Sequence, residues 1–153
     1  MKYIWNYAFR YFMRKYWNNR YRSVPVFLKD MEGEMIGDYA HDSMGVNTIH
    51  LAQNQGLSER QMLGVLLHEM CHHAVYEEYG MEVEAHGFEW MSEMRNVGFE
   101  DPDCYTDGTN FFTEAQYQEI LSMLGGEMQT FEWTDSLSLM AKMEKGTVDL
   151  VLA

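Results

Sequence analysis

The sequence predicts an α+β domain in which a small antiparallel sheet packs on helices, one of them carrying the strongest chemical signal in the chain. Three observations predict it. Short segments that are β-branched or alternate between apolar and polar residues, bounded by turn residues, fall between residues 24 and 53. Longer segments with apolar residues at helical spacing stand on either side of them. The length of 153 residues, 46% hydrophobic and 14% aromatic, suits one buried core rather than a disordered tail, so residues 1–153 are read as a single domain.

Taken in order, residues 2–18 place Tyr3, Ile4, Tyr7, Ala8, Tyr11 and Phe12 at helical spacing, with Arg10, Arg14 and Lys15 partly to one side. The segment Val24 to Leu28 reads as a strand, with Pro25 suited to a strand start or an edge. Met35 to His41 and Thr48 to Gln53 are two further extended segments. Asp42 to Asn47 joins them, and its Gly45 and Asn47 suit a turn, so the pair reads as an antiparallel hairpin. Ser58 with Gln61 forms a capping box ahead of an apolar run from Met62 to Met70, continued by Ala74 and Val75 and closed by Gly80. A second helix is expected from Ala85 or His86 to Val97, ended by Gly98. Thr113 with Gln116 repeats the capping signal for a third, over 114–124, ahead of Gly125 and Gly126. Residues 135–145 suit a fourth helix, and Val148 to Leu152 a strand or a tail. No internal repeat or low-complexity segment is present.

Composition narrows the function classes. Cys71 and Cys104 are the only cysteines, too few for a disulfide framework or a four-cysteine zinc ribbon, and both are expected to be reduced thiols inside a cell. Charged residues interrupt the apolar residues of 1–16, so no signal peptide or membrane span is expected there, and a cytoplasmic protein is. The formal net charge of −13 is unevenly spread: residues 1–29 hold seven Lys or Arg and no acid, whereas 30–153 hold four basic and 24 acidic residues. Such a body repels nucleic acid at long range, and the basic end offsets this only locally.

Inside the best-capped helix stands His68-Glu69-Met70-Cys71-His72, the HExxH pattern. At about 100° per residue, two histidines four apart share one face, one turn from each other, and two imidazoles there can reach a single metal ion. Glu69 sits to the side, close enough to take a proton from water activated at the metal. A catalytic zinc commonly has three protein ligands and an open fourth position. The third could be His86, with thirteen residues between it and His72, or one of Glu82, Glu84 and Glu89.

The combination of HExxH, a short acidic loop and then His86-Gly87-Phe88-Glu89-Trp90 resembles the SprT-like metalloprotease family, which includes the Spartan proteases. The resemblance covers about residues 1–98, leaving 99–153 as a helical C-terminal extension. It implies a zincin-like metalloprotease domain, with His68, His72 and His86 as ligands of one Zn2+ per chain and Glu69 as the catalytic residue. The implied substrate is protein, including protein attached to DNA. Many members add a C-terminal zinc ribbon, which this chain is expected to lack.

The remaining signals have two readings each. Residues 1–29 interleave Trp5, Tyr7, Phe9, Tyr11, Tyr16, Trp17 and Tyr21 with Arg10, Arg14, Lys15, Arg20 and Arg22, a pattern that suits contact with single-stranded DNA but is expected more readily of a packed helix with a solvated basic side. His73 is either a partly exposed helix residue, as expected here, or a hydrogen-bonding partner of Glu69. His41 and His50 are read as structural or surface residues, and Cys71 as a small core residue. Two functional alternatives stand beside the protease: a peptidase unrelated to DNA, and an acidic interaction protein, such as a virus-encoded one docking a host factor, that keeps a zincin fold around a structural zinc.

Overall fold

The computed structural model describes residues 4–130. Over them the protein is α+β, in the order α1 (Ile4–Trp17), β1 (Val26–Lys29), β2 (Gly37–His41), β3 (Asn47–Ala52), α2 (Glu59–Tyr79), α3 (Phe88–Asn96) and α4 (Glu114–Thr130). The segments 135–145 and 148–152 lie outside the described residues.

Helix α1 buries Ile4, Trp5, Ala8, Phe9, Tyr11, Phe12, Met13 and Trp17, and Arg14 and Lys15 stand in its last turn, where positive charge complements the helix dipole. Asn18 and Asn19 end it in the left-handed region, and the Asn19 N–H reaches back to the Met13 carbonyl at 3.1 Å. Asparagine tolerates that conformation better than most residues with a side chain. Helix α2 is buried nearly all round from Met62 to Val75, as a central helix is, and packs against α1, α3, β2 and β3. Its N-terminus carries the expected capping box between Ser58 and Gln61, and Gly80 closes it at φ 73°.

The sheet departs from the expectation. Its strand order is β1-β3-β2: β3 pairs antiparallel with β2, as the hairpin reading requires, but parallel with β1, so the sheet is mixed rather than antiparallel. The cause lies in side chains far apart in sequence. Asn6 of α1 clamps the start of β1, accepting from the Val26 N–H at 3.0 Å and donating to the Val26 carbonyl at 3.2 Å. The next loop crosses the C-terminal end of β3, where Asn54 bonds both the N–H and the carbonyl of Met31, and Gln55 donates to the carbonyls of Met31, Gly33 and Met35. Strand β3 is left in the middle and is buried along its whole length. In the hairpin turn, Asp42 Oδ1 accepts from the backbones of Met44 and Val46, and Gly45 takes φ 82°.

Two helix boundaries also differ. Helix α3 begins at Phe88, behind a Gly87 N-cap, so His86 stands in the loop before it. Helix α4 starts at its Thr113–Gln116 capping box but runs through Gly125 and Gly126 to Thr130. Neither of those glycines adopts positive φ, and glycine stops a helix only by using that freedom.

Candidate metal centre

Three imidazoles converge. His68 and His72 come from one face of α2 and His86 from the loop after it, and one nitrogen from each lies within 4.8 Å of the others. Among the described residues this is the group that could hold a metal ion, and none of Glu82, Glu84 and Glu89 belongs to it. The loop that delivers His86 is a tight turn in which the Gly87 N–H bonds the Glu84 carbonyl at 3.2 Å. A Cβ on Gly87 would come within 3.0 Å of Glu84 Cβ, closer than ordinary packing allows.

Trp90, fully buried on α3 one turn beyond His86, forms the floor. Its ring lies 5.0 Å from that of His68, 5.5 Å from His72, stacked at 20°, and 4.7 Å from His86, edge on at 85°. This apolar surface lowers the basicity of the imidazoles, because burial disfavours the charged form. Burial, reinforced by the neighbouring histidines, takes His72 down to about 3. His68 goes to about 4 by burial, against a contribution from the Thr106 carbonyl that raises it. Burial lowers His86 as well. Three neutral nitrogen donors at neutral pH are what a divalent zinc-type cation takes, and protonated imidazoles would repel it.

The nitrogen that His68 can offer is fixed by its surroundings. Its Nδ1 lies 2.8 Å from the carbonyl of Thr106, which can only accept, so Nδ1 carries the hydrogen and Nε2 keeps its lone pair. Glu69 is buried beside it, with Oε1 at 3.6 Å from His68 Nε2. Burial, and then the charge of Asp38, push its carboxyl up to about 8. Strand β2 runs past this point unusually close to α2. A Cβ on Gly37 would fall 2.7 Å from Val65 Cγ1 and 3.5 Å from Glu69 Cγ. Together Gly37, Asp38, Tyr39, Val75, Tyr76 and Val83 wall a cavity of about 370 Å³ that opens onto the three histidines and Glu69.

Other sequence-derived candidates fall elsewhere. His73 is fully buried, not partly exposed, and does not serve Glu69. Its Nε2 donates to the Arg22 carbonyl at 2.8 Å, which leaves Nδ1 to accept from the Tyr39 hydroxyl at 2.8 Å. His50 is buried in β3, its Nδ1 donating to Asp38 at 2.6 Å, and His41 is half-buried against Tyr76, both structural as expected. Cys71 is a core residue whose thiol burial pushes up, as suits an inert position. The roles of the Thr106 carbonyl, the Trp90 floor and the Asp38 neighbour were missed. A backbone carbonyl leaves no mark in sequence, whereas Trp90 stood inside the matching motif.

The chain matches the SprT-like family over residues 6–110, which include every residue of this centre. No curated protein matches it.

Proposed function

The chain belongs to the SprT-like family, and from that premise we propose that it is a zinc metalloendopeptidase with a zincin-like architecture, in which His68, His72 and His86 hold one zinc ion and Glu69 is the general base. The observation that carries the reading is the convergence of three neutral imidazoles from two separate segments on one point beside a buried carboxyl. The donor set fits zinc, which takes imidazole nitrogens readily and in catalytic sites keeps a position open beyond three protein ligands. A structural zinc, as the interaction-protein alternative requires, wants a fourth protein ligand, and among the described residues the group has three.

When bound, zinc supplies a Lewis acid that polarises the scissile carbonyl and acidifies water. The rest is the work of the chain. The rise of the Glu69 carboxyl belongs to the metal-free protein; a cation on the three histidines would favour the carboxylate, which takes the proton from attacking water and hands it to the leaving amine. Strand β2 lies at the edge of the sheet with its Gly37 end against Glu69, which suits an extended peptide pairing along its free side. Protein attached to DNA is included among the proposed substrates on the strength of the family. The rings of Trp5, Phe9, Tyr11, Phe12 and Trp17 are buried in the core, which takes them out of base stacking, and Arg20 and Arg22 pair with Glu78 and Glu77, so phosphate would have to compete with those carboxylates for them.

The test uses Glu69→Gln and His86→Ala beside wild type, with and without DNA, on an unfolded protein substrate. Glu69→Gln is expected to keep about one zinc per chain and lose cleavage by a factor of roughly 100 to 10,000. His86→Ala is expected to lose zinc. Cleavage by Glu69→Gln at the wild-type rate would overturn the mechanism, and zinc retained in full by His86→Ala would overturn the ligand set.

A further inference from the structure

We propose that the loop from Asp103 to Thr109 is a positioning device for the metal centre: it presses the Thr106 carbonyl onto His68 and thereby selects the imidazole tautomer that can bind metal. The proposal rests on the metal-binding reading above. A neutral imidazole has one N–H and one lone pair, and metal needs the lone pair on the nitrogen facing it. For His68 that nitrogen is Nε2, and it is free only because Nδ1 gives its hydrogen to Thr106 at 2.8 Å.

The carbonyl is held there by contacts remote from the ligands. Gly108 lies directly on Gly64, one helical turn before His68 on the same face of α2. A Cβ on Gly64 would fall 1.8 Å from the Gly108 oxygen, and one on Gly108 would fall 2.2 Å from the Gly64 oxygen. Backbone therefore meets backbone with no room for a side chain on either partner. Gly108 also adopts φ 91°, where other residues are strained. Before this contact the loop is closed on itself. Asp103 Oδ1 accepts from the Tyr105 N–H at 2.8 Å and the Thr106 hydroxyl at 3.2 Å, and the Thr106 Oγ1 accepts from the Asp103 N–H at 3.1 Å. After it, Asp107 Oδ1 binds the N–H and hydroxyl of Thr109 at 3.0 and 2.8 Å.

Packing from behind does not fix the loop. Thr106, Asp107, Gly108 and Thr109 line a second cavity of about 950 Å³ on the side toward α4, and Tyr105 is exposed. The position of the Thr106 carbonyl depends on the turn around Asp103 and on the paired glycines.

Thr106→Val keeps the carbonyl and the 3.1 Å bond from the Thr106 N–H to the Asp103 carbonyl but removes the hydroxyl that ties the turn to the Asp103 carboxylate, Thr106→Ser restores the hydroxyl, and Gly108→Ala forces the loop off α2. Two quantities are measured on the full chain: zinc Kd by chelator competition, and the 15N spectrum of the imidazoles in metal-free protein, which shows which nitrogen of His68 carries the hydrogen. Thr106→Val is expected to raise the zinc Kd by about 10-fold, and Gly108→Ala by up to about 100-fold, both with loss of the pure Nδ1–H form. Thr106→Ser should return both readouts to wild type. If Thr106→Val lowers Tm while the His68 tautomer and zinc Kd stay unchanged, the loop is merely structural and the proposal is overturned, whether or not Gly108→Ala folds. A wild type that takes up no zinc would overturn the metal reading and this proposal together, whereas zinc binding indifferent to all three variants would overturn this proposal alone.

Discussion

His73 stands next to His72 of the histidine cluster in sequence but works as a tie between three segments, joining α2 to Tyr39 of β2 and to the Arg22 carbonyl in the connection that follows α1. Both its nitrogens are committed in a fully buried place. Tyr39→Phe leaves the ring in the wall of the metal cavity and removes only the hydroxyl that His73 Nδ1 accepts from. An unsatisfied buried acceptor costs about 1–3 kcal/mol, so thermal unfolding should move down accordingly while zinc affinity holds. Loss of zinc affinity without loss of stability would instead mean that Tyr39 acts on the centre itself. Adjacency in sequence says little here, because neighbouring residues on a helix point about 100° apart.

Helix α4 shows a local rule giving way to tertiary context. Gly125 and Gly126 look like a stop, yet the helix continues through them, tied at its start by Thr113 and Gln116 and packed on the core through Ile120 and Leu124. A Cβ at Gly125 would meet nothing within 4 Å, and its φ is not positive. Gly125→Ala is therefore expected to stabilise the protein by about 0.5–1 kcal/mol, seen as a rise in the denaturant midpoint at constant slope. A destabilised Gly125→Ala would mean that the helix ends where the glycines begin. The sheet teaches the converse: the hairpin was legible from its turn residues, but the parallel partner was not. Parallel pairing is set by Asn6, Asn54 and Gln55 acting across the fold.

For the molecule as a whole, the buried groups of the centre give the metal-free protein a definite pH dependence. The folded-state values of His68 and His72 are lowered from 6.5 to about 4 and about 3, so below pH 6.5 the unfolded chain binds more protons and stability falls as the pH drops. Glu69 has the opposite sign. Raised from 4.5 to about 8, it keeps a proton that the unfolded chain has released, so stability falls as the pH rises through that range. Burial lowers His86 and His73 in the same direction, so below 6.5 the histidines together outweigh the one carboxyl, and well above it Glu69 prevails. Tm of chelator-treated protein should therefore peak between about pH 6 and 7, with slopes on the order of 1 kcal/mol per pH unit on either side. A steady rise through pH 8 would show Glu69 ionised in the metal-free fold.

The sequence by itself determined α2, its caps, and the placing of His68, Glu69 and His72, because those depend on spacing along one helix and on capping groups a few residues away. It also named His86, through a motif whose residues lie within one short stretch, and the structure brings that side chain to the other two. Only the tertiary structure decided the mixed sheet, the burial of His73, the Trp90 floor and the hold of Thr106 on His68. Each of these joins segments distant in the chain, or uses a backbone atom that every residue possesses, and neither leaves a periodic or compositional trace.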